Sequence, residues 1–250
     1  YATDITDAVV RAADTESRLS AIDKAMAVIE FALDGTVLDA NALFLETMGY
    51  RLEDIRGRHH GMFVDAEQRA SEGYRQFWVK LGRGEHDAGR YRRVDRNGRA
   101  VWLTASYNPI LDAEGRPYKV VKYATDVTDA VVRAADTESR LAAIDKAMGT
   151  IEFDLQGHIL DANANFLALM GYSRDEVVGR HHGLFVTAET RASEAYRQFW
   201  SKLAGGALDA GRYARMRRDG RTVWIQASYN PVLDAEGRPY KVVKYATDIT

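Results

Sequence analysis

Cysteine is absent from the 250-residue chain. Disulfides, thiolate metal sites and cysteine nucleophiles are therefore excluded, while a reducing and an oxidising compartment both remain compatible. A strong charge of either sign is missing too. The 34 basic and 36 acidic side chains leave a formal net charge of -2, which gives no reason to expect nucleic acid as a partner. No long uncharged apolar run occurs, so this stretch is not expected to contact a membrane. The opening YATDIT contains neither a start methionine nor a signal peptide, and the chain is expected to be a piece of something longer. No nucleophile with a paired base, phosphate-cradling glycine loop or carboxylate pair recurs along the chain, so an enzyme is not expected. What is present, 46% hydrophobic residues, is enough to form an ordinary core.

The chain also repeats itself. Tyr1-Ala2-Thr3-Asp4 recurs at Tyr123 and again at Tyr245, a spacing of 122 residues each time. Residues 1–122 and 123–244 align without gaps and agree at roughly 70% of positions, a tandem duplication at the size of a domain. Two units leave a six-residue remainder. Because the remainder also opens the chain, Tyr1–Thr6 reads as the last strand of a preceding copy. The expected organisation is then a linker helix over 7–25, a domain over 26–128, a second linker helix over 129–147 and a second domain over 148–250.

Within a unit, Asp7 to Ala25 has no glycine or proline and spaces its apolar residues near the helical period. Two short strands follow, 28–33 and 37–40, about Asp34-Gly35. Asn41 and Asn163 then stand where they can cap short helices. After His-His-Gly comes the clearest amphipathic helix, with Ala70, Tyr74, Phe77, Trp78 and Leu81 on one stripe, matched by Ala192, Tyr196, Phe199, Trp200 and Leu203. Three strands close the unit, 89–94, 100–110 and 118–127. Proline after Tyr107-Asn108 and after Tyr229-Asn230 suggests a bulge or an edge. The expected class is α+β, a five-stranded antiparallel sheet with its first two strands inserted beside the last three. Helices would cover one face, leaving the other for the linker helix or a second chain. Thr128 would end the sheet and cap the helix that follows.

The order DGxVLDAN, a helix ending MGY, then GRHH, an FW-bearing helix and NGRxVWLxASYNPILDAEGRPYKVVKYATDVT resembles a PAS domain. In particular it is similar to the PAS modules of bacterial methyl-accepting chemotaxis and aerotaxis receptors. The resemblance spans about Ser20 to Thr128 and again Ala142 to Thr250. It implies two tandem PAS domains joined by a long amphipathic helix in a sensory, signal-transducing, cytoplasmic part of a receptor. A ligand or cofactor would sit between sheet and helices, and strain in the sheet would pass to the flanking helices and on to a downstream signalling domain.

His59-His60 and His181-His182 persist inside the least similar stretch of the repeat. Neighbours on a helix point about 100° apart, so one imidazole can face the interior and the other solvent. Resemblance to oxygen-sensing receptors points to haem b, with His59, His60, His181 and His182 as candidate cofactor-binding residues and His60 and His182 the better candidates for the axial ligands of the iron. Trp102, Trp224, Tyr107 and the apolar residues around Phe63 would wall it, and Arg58 and Arg180 would meet propionate or phosphate groups. Three alternatives stand beside this: histidines that merely cap or hydrogen-bond the short-helix region, flavin (FAD) as in other aerotaxis-type modules, and a ligand-free scaffold that dimerises and relays strain. Adjacent histidines without a third ligand make a poor zinc site. His86 and His158 lack a counterpart in the other unit and suit the surface. Trp78 and Trp200 suit the core. The apolar stripes of the linker helices need burial, which a parallel homodimer, or folding back on the sheet, would supply.

Overall fold

Strand 100–111 shows why the sheet has two unlike faces. Val101, Leu103, Ala105 and Tyr107 are buried, whereas Trp102, Thr104 and Ser106 between them are not, as the two-residue period of a strand requires. The computed structural model describes residues 6–250. The expectation for Tyr1–Thr6 as a closing strand falls outside those residues, apart from Thr6, which opens the first helix.

The first unit runs α1 (Thr6–Ala25), β1 (Ala27–Phe31), β2 (Val37–Ala40), α2 (Ala42–Met48), α3 (Leu52–Ile55), a 3-10 turn (His60–Phe63), α4 (Ala66–Ala70), α5 (Glu72–Gly82), β3 (Asp87–Val94), β4 (Ala100–Leu111) and β5 (Pro117–Asp126). Helix α6 (Thr128–Ala147) leads into the same series: β6 (Gly149–Phe153), β7 (Ile159–Ala162), α7 (Ala164–Met170), α8 (Arg174–Val177), a 3-10 turn (His182–Phe185), α9 (Ala188–Ala192), α10 (Glu194–Ala204), β8 (Asp209–Met216), β9 (Thr222–Leu233) and β10 (Pro239–Asp248). The chain divides into two compact units between Ala135 and Asp136, inside α6. No helix among the described residues is long and apolar enough to cross a membrane.

Each unit is a five-stranded antiparallel sheet, ordered β2-β1-β5-β4-β3 in the first and β7-β6-β10-β9-β8 in the second. The first two strands do pair beside the last three. The core forms where the sheet meets α2 to α5, around Ile29, Phe31, Phe44, Phe63, Leu81, Leu103 and Tyr107. Pro109 lies in the part of β4 that has outrun β3, whose pairing stops at Tyr107; the missing N–H there faces a local edge.

Two local expectations are corrected. The stripe from Ala70 to Leu81 is not one helix, because Ser71 is extended and its hydroxyl accepts from the Tyr74 N–H at 3.1 Å, ending α4 and capping α5. Nor does the Thr128 hydroxyl cap α6. It accepts from the Trp102 N–H at 2.9 Å, while the Val127 N–H donates to the Trp102 carbonyl at 2.8 Å. The first helical turn closes instead on the Val127 carbonyl, which accepts from the Val131 N–H. The start of α6 is thereby laced to the first residues of β4.

Its far end is laced as well. Asn163 caps α7 by accepting from the Phe166 N–H, accepts also from Thr150, and donates to the carbonyls of Asp145 and Met148. Asn41 makes the corresponding bonds to Asp23 and Met26 at the end of α1. In the first unit, Leu19 and Ile22 of α1 border a cleft of about 570 Å³ against Val28, Tyr118 and Tyr123 of the uncovered sheet face.

Candidate functional site: a buried histidine in an aromatic cage

The Asp34-Gly35 turn fixes the histidine pair. Gly35 has φ +87°, a region that favours glycine, and a Cβ there would strike His59 Nε2 at 2.7 Å and Trp78 at 2.9 Å. Its carbonyl accepts from the His60 N–H at 2.8 Å, so the turn grips the start of the 3-10 segment. His59 is extended and exposed, and its Nδ1 accepts from the Gly61 N–H at 3.0 Å, capping that segment. His60 turns inward and is 1% exposed; its equivalent His182 is 0% exposed. One imidazole of each pair faces the interior and the other does not.

Inside, six rings surround His60 at centroid distances of 5.2 to 6.2 Å: Phe31, Phe63, Tyr74, Phe77, Trp78 and Tyr107. Both ring nitrogens are bonded, Nδ1 to the Tyr74 hydroxyl at 2.8 Å and Nε2 to the Tyr107 hydroxyl at 3.1 Å. Arg93 Nη2 donates to the same Tyr107 oxygen at 3.0 Å. Donor counting assigns the protons. Arginine can only donate, and the fully buried Tyr107 finds its acceptor in His60 Nε2. The neutral imidazole therefore carries its proton on Nδ1 and gives it to Tyr74. A directed chain results, Arg93 to Tyr107 to His60 to Tyr74, and it leaves the Tyr74 proton for whatever meets that residue. Burial, then the positive charges of Arg93 and Lys122, hold the His60 pKa well below the ordinary histidine range.

Lys122 is 2% exposed, with Nζ 5.1 Å from the Tyr107 ring centroid. Lys244 is 0% exposed, and its Nζ has no hydrogen-bond partner among the described residues. Burial, with Arg93 or Arg215 adding to it, pushes both amines well below the usual lysine range. Arg93 and Arg215 are buried too, and neither they nor the two lysines form an ion pair among the described residues. The sequence reading missed all four. Lysine and arginine are almost never fully buried without a partner, so a reading by residue type puts them outside. Strand parity was the available clue, since Val120, Lys122 and Ala124 share the buried side of β5.

Of the residues expected around the histidines, Tyr107 and Phe63 are there. Trp102 and Trp224 are not. They stand on the opposite face of β4 and β9, and Trp224 is 50% exposed. Arg58 and Arg180 are exposed. Trp78 and Trp200 are core, and His86 and His158 are at the surface. His158 pairs with Asp154 at 2.9 Å.

The cage does not fit haem. Neither nitrogen of His60 or His182 is free for iron, and the neighbouring clefts are lined by the tyrosines and phenylalanines rather than by the imidazoles. Phe31, Tyr107 and Lys122, all fully buried, likewise fill the space between sheet and helices that the planar rings of a flavin would need. No group of three or more metal-ligating side chains is found among the described residues.

Residues 37–124 and 159–246 both match the family model for the PAS fold. The chain belongs to the PAS family. Its two PAS domains are 45% identical over 232 residues to biofilm dispersion protein BdlA of Pseudomonas aeruginosa, an alignment covering 93% of this chain and 56% of BdlA. The chain thus spans little more than half of that relative. Among solved structures, a PAS domain from Colwellia psychrerythraea is similar at 22% identity and TM-score 0.40, covering 46% of this chain and 97% of its own. A domain of a sensory box sensor histidine kinase/response regulator from Geobacter sulfurreducens is similar at 23% identity and TM-score 0.38, covering 45% and 94%.

Proposed function

We propose that the two PAS domains are non-enzymatic sensory modules of a cytoplasmic, chemotaxis-related signalling protein of the BdlA kind, passing a change in each domain's interior to the adjoining helix. The lacing of α6 carries this reading. Its first residues hang on Trp102, near the start of β4 in the first sheet, through 2.8 and 2.9 Å bonds. Its last turn is held by Asn163 of the second domain at 2.9 Å. Tyr107, which grips the caged histidine, lies on the same strand as Trp102. A shift in that strand would therefore tilt a stiff rod whose other end is fixed in the next sensor. The near identity of α1 and α6 in sequence suits a relay in which successive modules present the same helical phase to each other and to a downstream signalling domain.

Since the cage does not fit haem or flavin, detection is assigned to a molecule that meets the cage from outside. The apolar residues Val9, Val10, Leu19 and Ile22 of α1, and Val132, Leu141 and Ile144 of α6, are exposed, and they suit pairing with the same helices of a second chain in a parallel homodimer. The test is made in the full-length protein. Inserting two residues in the middle of α6 rotates its far half by about 200° and is expected to abolish or invert signalling output. Unchanged output would overturn the relay.

A further inference from the structure

Beside the cage a cleft opens between α5 and β3, and another between α10 and β8. The first holds about 510 Å³, running on toward Lys80, Arg83 and Asp87; the second holds about 200 Å³. Among the equivalent side chains that line both are four large ones, Tyr74, Phe77, Tyr91 and Arg93 in the first and Tyr196, Phe199, Tyr213 and Arg215 in the second. Three are aromatic and one is a buried cation.

That cation has no ion-pair partner among the described residues. Arg93 is 3% exposed. Its Nη1 donates to the Arg92 carbonyl at 2.8 Å and its Nη2 to Tyr107, while Nε is buried with no partner. Arg215 repeats this, with Nη1 on the Ala214 carbonyl, Nη2 on Tyr229 and Nε unpartnered. A guanidinium stays charged wherever it is placed, and taking it out of water unpaired costs several kcal/mol. The nearby carboxylates Asp87 and Asp209 are engaged elsewhere, with the Tyr91 and Tyr213 hydroxyls and with Lys80 and Lys202. The hydrogen-bond chain also leaves the proton of Tyr74, and of Tyr196, to be given at the cleft.

We propose that each cleft binds a small carboxylate with a single-ring aromatic body. The carboxylate accepts from Arg93 and Tyr74, or from Arg215 and Tyr196, and the ring packs against Phe77 and Tyr91, or Phe199 and Tyr213. A planar carboxylate matches the fork of a guanidinium in two parallel bonds, and the smaller cleft admits one ring. This names a ligand class for the sensory reading and rests on it. A carboxylate that draws Arg93 from Tyr107 loosens the grip on β4, the strand that holds the start of α6.

The test is calorimetric titration of the two-domain chain with benzoate and with benzamide, which has the same ring and no charge. Two benzoate sites are expected, with benzamide weaker by about tenfold or more. Arg93→Gln with Arg215→Gln should erase that preference. Tyr74→Phe with Tyr196→Phe, which removes only hydroxyls, should weaken benzoate several-fold and keeps the test open if the arginine variants do not fold. Equal affinity for both compounds, or no binding of either, overturns the carboxylate site and leaves the relay standing. Carboxylate-selective binding that leaves hydrogen exchange in the first turns of α6 unchanged confirms the site and overturns its link to the relay.

Discussion

Between the two domains the segment leading into the histidine pair differs most, RLEDIR against SRDEVV, yet the bonds of the second histidine barely differ. His60 meets Tyr74 at 2.8 Å and Tyr107 at 3.1 Å, and Arg93 meets Tyr107 at 3.0 Å. In the second domain the same three distances are 2.8, 3.0 and 2.9 Å. The exposed turn tells the opposite story. Thr36 stands where the second domain has His158, and only the second turn gains the pair with Asp154 and a ring contact with His181. The contrast separates two kinds of position. A surface residue trades one set of weak contacts for another at little cost, whereas each member of the buried chain must satisfy its neighbours' donors and acceptors, so no one of them can change alone.

The sharpest way to break the equivalence is to remove one hydroxyl from one domain. Tyr107→Phe strands Arg93 Nη2 and His60 Nε2 in the interior, at an expected cost of about 2–4 kcal/mol to the first domain. Tyr229→Phe should do the same to the second. Calorimetry should then resolve the altered domain as a separate, lower transition, on opposite domains for the two variants. A single unshifted transition in either variant would show that the chain of hydrogen bonds does not stabilise the fold.

A second test uses the buried basic groups the domains share. His60, His182, Lys122 and Lys244 all have pKa values well below ordinary because burial disfavours their charged forms. For each, the unfolded chain binds a proton that the folded chain does not, between the lowered value and the ordinary one, so stability rises with pH across that window. The histidines contribute below about pH 6.5 and the lysines up to about pH 10. Above that, the raised pKa of Tyr107 and Tyr229 reverses the slope, because the folded chain then holds protons the unfolded chain has lost. The melting temperature should therefore climb from pH 6 to pH 9, and Lys122→Met with Lys244→Met should flatten the upper part of the climb. A parent profile that is level or falling between pH 7 and 9 would mean the amines are charged and paired.

These buried basic groups also mark the limit of what was legible in the sequence. The duplication, the α+β class with its first two strands beside the last three, and the inward turn of one histidine per pair followed from repeat spacing and periodicity, and the PAS architecture from the resemblance of many ordered motifs, because each depends on many residues at once. The bonding partners of His60 did not. Tyr74 and Tyr107 lie 14 and 47 residues away, and only the folded chain brings them together. The misplacement of Trp102 was avoidable. In Val101-Trp102-Leu103-Thr104-Ala105-Ser106-Tyr107 the tryptophan shares its parity with threonine and serine, the mark of the open face. Parity gave only a weak warning for Lys122, because Val120 and Ala124 share its face of β5 while Val121 and Tyr123 give the other face nearly equal apolar weight.

The smallest expected effect probes how closely the two backbones agree. Gly149 occupies the position that Ala27 holds in the first domain, and a Cβ built on it would sit 3.2 Å from Phe166 Cα and 3.3 Å from the Ala246 carbonyl oxygen. Both contacts are tight, but Ala27 is accommodated at 2% exposure against the equivalent Phe44 and Ala124. The first domain therefore accommodates this Cβ, and a shift of a few tenths of an ångström in the second would do the same. Gly149→Ala should make the same shift, and the loss of backbone freedom in the unfolded chain should offset its cost, leaving the second domain within about 1 kcal/mol of its parent stability. A loss of 2 kcal/mol or more, read by denaturant unfolding, would show that the two sheets differ at this strand, where the end of α6 enters the second sensor.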